Sequence, residues 1–535
     1  MTGEQATAAA SGAAFDLPRR GPAFGKRFAV ASDHPLVSST ALGVLQRGGN
    51  AADATIAAAA LNVVLKPDRT HLGGDAFALV WRRRTGEVDC LNAGGRAPLG
   101  ATLDGFAAGI PTLGPRACTV PGLVDAWLEM HTRYATLPLD SLLKPAIDQA
   151  AEGFPVSQHL SRRMGEIAGS KAPEEEALRR AFLADGRRPY APGERLRQPE
   201  LAAVLARLVQ DGREGFYGGA TAAALAGGIA AFGGLIDAAD FEKPTAEWHE
   251  PIMSTFNGCT VYEQALPSQG IILLEALNIS ERFPLAEWGM ADARATHVLV
   301  EATKLAFADV RRYVADPEVE EVPLAALLSK GHAARRAQAI DLDRAGAPGP
   351  ATLPSDTTSF VVADEEMVVC FIQSVFAPWG SRFVVPGTGI LMNNRLSGFS
   401  TDPASPNRLA PGKRTRHTLN TFLALRDGKL VIGGGTPGRD AQVQTNLQTI
   451  VGLLCWGLDL QAAIDAPRWT LEGDRLALER RFPAPLQAGL AARGHEIEET
   501  GAWSATCRSQ VLAELAEGGW AAASDLRGEG VALAI

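Results

Sequence analysis

The run Ala51–Leu65, AADATIAAAALNVVL, constrains the fold more than any other part of the chain, because it is apolar on nearly every face of a helix. A helix without a polar face is stable only when other elements cover most of its sides, so it belongs at the centre of the molecule, packed against a sheet. It carries Asp53 and is shorter than the ~20 apolar residues that a bilayer span requires, so it does not read as a membrane helix.

The neighbouring segments supply such a sheet. Residues 28–32 predict a short strand, and 38–46 a helix that Gly48, Gly49 and Asn50 stop in the manner of a C-cap. Segments 75–81 and 87–92 predict a hairpin about Arg84, Thr85 and Gly86. From 120 to 330 the pattern is mainly helical, with a strand-like interruption at 252–263. Residues 345–354, AGAPGPATLP, read as an exposed, flexible strap. Beyond the strap the period changes to two: strands are expected at 358–363, 368–375 and 389–393, with a hairpin of 418–425 and 429–433 around Asp427 and Gly428. An amphipathic helix follows at 439–456, and no internal repeat is visible. A helix-rich segment is thus joined to a sheet-rich one.

Composition narrows the function classes. Hydrophobic residues at 46% and charged residues at 21% are globular values, and 535 residues allow several domains or one large core. Lys plus Arg is 51 against 60 Asp plus Glu, a net charge of −9, which argues against nucleic acid or an anionic membrane as partner. Residues 1–20 have no apolar stretch of the secretory kind, which places the protein in the cytoplasm. Six cysteines without a C-x-x-C pair argue against a disulfide framework and a zinc site.

Gly433, Gly435 and Gly438 form a literal G-x-G-x-x-G between an expected strand and an expected helix. Dinucleotide binding needs a second strand ending in an acidic ribose ligand ~20 residues on, where 456–466 reads as helix instead. What remains is a glycine turn leading into a helix amino terminus, whose free N–H groups stabilise negative charge. P-loop, H-E-x-x-H and G-x-S-x-G patterns are absent.

The seam Ser355, Asp356, Thr357, Thr358, Ser359 carries the sharpest chemistry. A linker is the plain reading; a self-cleaving bond is the other. The Thr357 hydroxyl can attack the carbonyl before it, and hydrolysis of the resulting ester leaves Thr357 as a new amino terminus. Its free α-amino group, with an ordinary pKa of about 7.7 to 8.0, then serves the hydroxyl as base.

With Val30-Ala31-Ser32-Asp33-His34-Pro35, Gly48-Gly49-Asn50-Ala51-Ala52-Asp53-Ala54, Leu72-Gly73-Gly74-Asp75, Val120-Pro121-Gly122, Asp356-Thr357-Thr358, Pro386-Gly387-Thr388-Gly389 and Thr436-Pro437-Gly438, the sequence resembles the γ-glutamyltranspeptidase family of amino-terminal-nucleophile hydrolases over most of its length. The resemblance implies an α+β fold, a four-layer αββα sandwich built from a large subunit, 28–356, and a small one, 357–535, behind a flexible tail, 1–27. It implies cleavage between Asp356 and Thr357, with Thr357 as nucleophile, Ser374 as a hydroxyl that hydrogen-bonds it, and the N–H groups of Gly438 and Arg439 as oxyanion hole. It also implies a heterodimer of the two subunits, with a dimer of heterodimers left open, and no metal or organic cofactor.

Departures from the family pattern bear on substrate. Gly94 stands where γ-glutamyl-accepting members have a carboxylate-binding arginine, with Arg96 two positions on. Gly398 stands at the aspartate that holds the α-amino group, and His417 and Thr418 replace a serine pair. Glutathione is therefore expected to be a poor substrate. The pattern is similar to the cytoplasmic branch that includes oxamate amidohydrolase, in which Arg439, His417, Thr418 and Arg382 would hold a small carboxylate-bearing amide. The alternatives are a γ-glutamyltransferase or glutathione hydrolase, which a shifted Arg96 would serve, and a non-enzymatic or dinucleotide-binding protein.

Overall fold

In the computed structural model, which describes residues 20–347, 349, 357–473 and 475–535, the apolar run is helix α2 (Ala51–Leu65), preceded by α1 (Pro35–Gln46). Every α2 residue is buried. Its amino terminus is held by a reciprocal pair: Asn50 Oδ1 accepts the Asp53 N–H and the Asp53 carboxylate accepts the Asn50 N–H, both at 2.9 Å. Asp53 also accepts the Thr136 and Leu137 N–H groups at 3.0 Å, so its buried charge is fully solvated by the protein.

Fourteen strands form two antiparallel sheets of seven. In chain order they are β1 (Ala23–Gly25), β2 (Ala29–Ser32), β3 (Asp75–Arg82), β4 (Val88–Ala93), β5 (Glu247–His249), β6 (Ile252–Phe256), β7 (Cys259–Glu263), β8 (Thr358–Ala363), β9 (Met367–Ser374), β10 (Thr421–Arg426), β11 (Lys429–Gly435), β12 (Gln510–Glu514), β13 (Trp520–Ser524) and β14 (Val531–Ala534). One sheet runs β14-β2-β8-β9-β3-β4-β5 and the other β1-β13-β12-β11-β10-β7-β6. Both sheets contain strands from before and from after residue 357, so neither part of the sequence completes a sheet by itself.

Side-chain alternation sorts the strands into layers. Val361, Cys370 and Leu79 from the first sheet meet Leu423, Leu512 and Trp520 from the second. Their neighbours Val362, Val369, Phe371 and Ala78 face outward onto α2 and the helices around it. On the far side Phe422, Ala424, Ile432 and Val511 pack under α3 (Gly270–Ser280), α4 (Ala293–Tyr313) and α5 (Ala441–Leu454). The result is the expected αββα sandwich, with α2 central to its own helical layer.

Several expectations are corrected. The tail of 1–27 ends earlier, since Ala23–Gly25 pairs with Trp520–Ala522 as an edge strand; residues 1–19 lie outside those described. The segment 252–263 is two strands, because Asn257 and Gly258 take positive φ and turn the chain back. The strap is fastened where its start is described: Ala345, Gly346 and Gly349 donate backbone N–H groups to the Arg493 carbonyl, the Glu301 carboxylate and the Gly473 carbonyl. Asp356 lies outside the described residues. β11, which carries Gly433 and Gly435, pairs antiparallel on both edges, so the glycine pattern opens no βαβ unit and the dinucleotide reading falls.

Candidate active site

Thr357 stands immediately before β8, an interior strand between β2 and β9, and is buried. The β8–β9 register sets Thr358 opposite Gln373, which brings the next pair, Thr357 and Ser374, together. Thr357 Oγ1 donates to Ser374 Oγ at 3.2 Å, and the Phe376 N–H donates to the same oxygen at 2.8 Å.

Phe376 holds the turn after β9 in a conformation that a bulky residue rarely adopts, with φ of 81°. Asn394 pins that turn: its N–H donates to the Val375 carbonyl at 3.2 Å and its Oδ1 accepts the Ala377 N–H at 3.0 Å. Trp379 and Arg382, later in the same loop, and Arg439 also have positive φ. The Phe376 ring carries two guanidinium groups, those of Arg395 at 4.0 Å and Arg439 at 4.2 Å from its centroid.

Arg395 is fully buried. Its Nε donates to Asp75 Oδ2 at 3.2 Å and its Nη1 to Thr418 Oγ1 at 3.0 Å. Asp75, at the start of β3, also accepts the Gly95 N–H at 2.8 Å and meets His417 Nε2 at 3.2 Å. Burial pushes the Asp75 carboxyl up, but the His417 hydrogen bond, the Arg395 charge and the Gly95 N–H outweigh it and hold the group below the usual carboxylate range. Burial, then the Arg395 charge, lower His417 to about 4, so its imidazole is neutral at neutral pH. His417 Nδ1 accepts the Leu419 N–H at 3.2 Å. With both ring nitrogens engaged, His417 positions Asp75 and offers no free nitrogen, in contrast to the substrate contact expected for it. Thr418 supports Arg395.

Gly438 and Arg439 form the turn between β11 and α5. Gly438 has φ of 133°, and a Cβ there would sit 2.3 Å from Cys507 Sγ, so only glycine is accommodated. With the Gln442 amide turned so that its nitrogen meets the Thr418 carbonyl at 2.9 Å, its oxygen accepts the Arg439 N–H at 3.2 Å. Gln442 thus competes for one of the two expected oxyanion donors. The Gln269 amide clamps the same region, donating to the Arg439 carbonyl at 2.7 Å and the Thr418 carbonyl at 2.9 Å.

The structure brings Thr357, Ser374, Arg439 and Thr418 into one network through Phe376 and Arg395. Arg382, on the Trp379–Arg382 turn, makes no hydrogen bond or ion pair to any of these side chains among the described residues. Arg96 is committed elsewhere, donating to both Glu247 and Glu318 at 2.9 Å. A Cβ on Gly94 would meet Asn92 and His417 at 3.2 Å and Phe77 at 3.3 Å, so the place of the glutamyl-binding arginine is filled by packing. Sequence reading misses Arg395, Asp75, Phe376 and Gln442 as site residues. The one signal is that Asp75 lies inside the quoted Leu72-Gly73-Gly74-Asp75 motif.

Two antiparallel sheets between helical layers, with a buried hydroxyl residue at the head of an interior strand, define the class: an amino-terminal-nucleophile hydrolase acting on amide bonds. A sequence model described as gamma-glutamyltranspeptidase matches residues 37–535, and the chain belongs to that family. It is similar to the oxamate amidohydrolase proenzyme of Klebsiella pneumoniae, 37% identical over 484 residues that cover 87% of this chain and 90% of the relative. The glutathione hydrolase-like YwrD proenzyme of Bacillus subtilis is 34% identical over 526 residues, covering 96% of this chain and 99% of the relative. Among solved structures, the cephalosporin acylase from Bacillus halodurans superposes with a TM-score of 0.91 at 34% identity, covering 97% of each chain.

Proposed function

We propose that this protein is a self-processing amidohydrolase that cleaves the amide of a small carboxylate-bearing substrate, of which oxamate is the simplest, through an acyl ester on Thr357. The observation that carries the reading is the buried Thr357 hydroxyl, bonded to Ser374 at the head of β8. In processing, Thr357 Oγ attacks the Asp356 carbonyl carbon, the peptide C–N bond breaks, and water hydrolyses the ester. This releases the Asp356 carboxylate and the Thr357 amino group, giving a heterodimer of 1–356 and 357–535.

In turnover, the Thr357 amino group takes the hydroxyl proton as Oγ bonds to the substrate carbonyl carbon. The Gly438 and Arg439 N–H groups receive the oxyanion, each worth roughly 2.7 to 4 kcal/mol in such a site, and Gln442 yields its hold on one of them. The amide C–N bond breaks, with the proton passing to the leaving ammonia or amine. Water then attacks the ester, the Thr357 Oγ–carbon bond breaks, and the proton returns to Oγ. The proenzyme names of the two sequence relatives, one an oxamate amidohydrolase, support the reading. A cytoplasmic location is proposed with it, on the strength of six unpaired cysteines.

Gel electrophoresis and mass spectrometry test the processing: the purified chain should give two fragments with Thr357 at the new amino terminus, while Thr357→Ala stays intact and inactive. Ammonia release from oxamate, set beside turnover of γ-glutamyl-p-nitroanilide, tests the substrate. Preferred glutamyl turnover would replace this reading with that of a glutathione hydrolase.

A further inference from the structure

We infer that Arg395, together with Arg439, selects an acyl group that ends in a carboxylate and carries no ammonium, which makes the substrate class the monoamides of short dicarboxylic acids; the inference rests on the amidohydrolase reading above. Arg395 is an interior cation with a single carboxylate partner, Asp75, which it shares with His417. Its Nη2 is buried and has no acceptor among the described residues, and the same holds for Arg439 Nε. Arg439 forms no ion pair there either. Buried charged donors are costly to leave unmade, and a ligand carboxylate supplies the acceptors both lack.

Position favours a short acyl group. Both guanidinium groups lie on the Phe376 ring, and the Phe376 N–H shares Ser374 Oγ with the nucleophile. An anion held there stands beside the reacting carbonyl. An ammonium finds no comparable partner among the described residues. Asp75 is already shared, and Asp440 is offset by the nearby Arg439, Arg416 and Arg311. Gly398 offers no side chain, and a Cβ there would meet Thr415 Oγ1 at 3.1 Å.

Matched amides test the inference on the self-cleaved wild-type enzyme, with kcat and KM measured for each. Succinamate and butyramide differ in the carboxylate, and glutaramate and L-glutamine in the α-ammonium. Expected is a kcat/KM for each first member about tenfold or more above its match. Arg395→Gln should cut the succinamate-to-butyramide ratio by roughly tenfold to a hundredfold, the size of a lost charge-assisted hydrogen bond, chiefly through KM, and Arg395→Lys should restore part of it. An unchanged ratio in Arg395→Gln, or glutamine equal to glutaramate, overturns the inference. If Arg395→Gln does not fold or self-cleave, wild-type inhibition decides: succinate must compete against succinamate at least about tenfold better than succinamide, and equal inhibition overturns the proposal. Hydrolysis of these amides that needs Thr357 but ignores the carboxylate would sink the inference and leave the amidohydrolase reading standing. No Thr357-dependent amide hydrolysis at all would sink the reading itself.

Discussion

Ser374 links three things at the residue scale: the Thr357 hydroxyl, the strained turn at Phe376 and, through that ring, the two arginines. Ser374→Ala removes the acceptor of both the Thr357 hydroxyl and the Phe376 N–H. Self-cleavage, followed as band conversion over time, and kcat should both fall by roughly tenfold to a hundredfold, and Ser374→Thr, which keeps the hydroxyl, should recover most of the loss. Thr357 is legible in the sequence because its expected chemistry is local: a hydroxyl, the amino group that the proposed cleavage would free, and a seam where the periodicity changes. Arg395 is not, because the partner that holds it, Asp75, lies 320 positions away. The positive φ of Phe376 leaves no mark in the sequence either, since no residue at that position asks for it.

At the scale of elements, the sequence is read best where one face of an element decides its fate. Helix α2 follows from composition alone, and β8 matches its expected bounds of 358–363 because its side chains alternate between two dry layers. Which strands pair was not legible, since β8 lies between β2 from the start of the chain and β9. The Asn50–Asp53 box gives α2 a defined start at a place where water cannot reach the free N–H groups. Asn50→Ala should lower stability by about 1 kcal/mol, read as a shift in the urea midpoint. Because α2 packs on β8 and β9, the same variant should slow self-cleavage less than Ser374→Ala does.

Across the whole molecule, buried titratable groups set the response to acid. Burial lowers His71 to about 3 and His417 to about 4, whereas an unfolded histidine takes up its proton near 6.5. Between those values the unfolded chain binds more protons, so stability is full above about pH 6.5 and is lost as pH falls towards 4. Burial raises Glu263 and Glu275 and acts in the opposite sense, weakening the fold as pH rises above about 4.5. The histidine contribution should lower the melting temperature from pH 6.5 to 4. His71→Asn, which keeps an acceptor for the Leu391 N–H, should flatten that slope. Each sheet interleaves strands from both sides of residue 357, so fragments 1–356 and 357–535 expressed apart should both be insoluble.

The same interleaving has a consequence for inheritance of damage. A strand in the middle of a sheet cannot be withdrawn without opening every ladder beside it, so the two halves that the proposed cleavage would leave should stay together in one sandwich. On that proposal the two halves are supplied one to one, and a copy that lacks the Thr357 hydroxyl has no second one within its own sheets to replace it. On that proposal such a copy remains an uncut precursor.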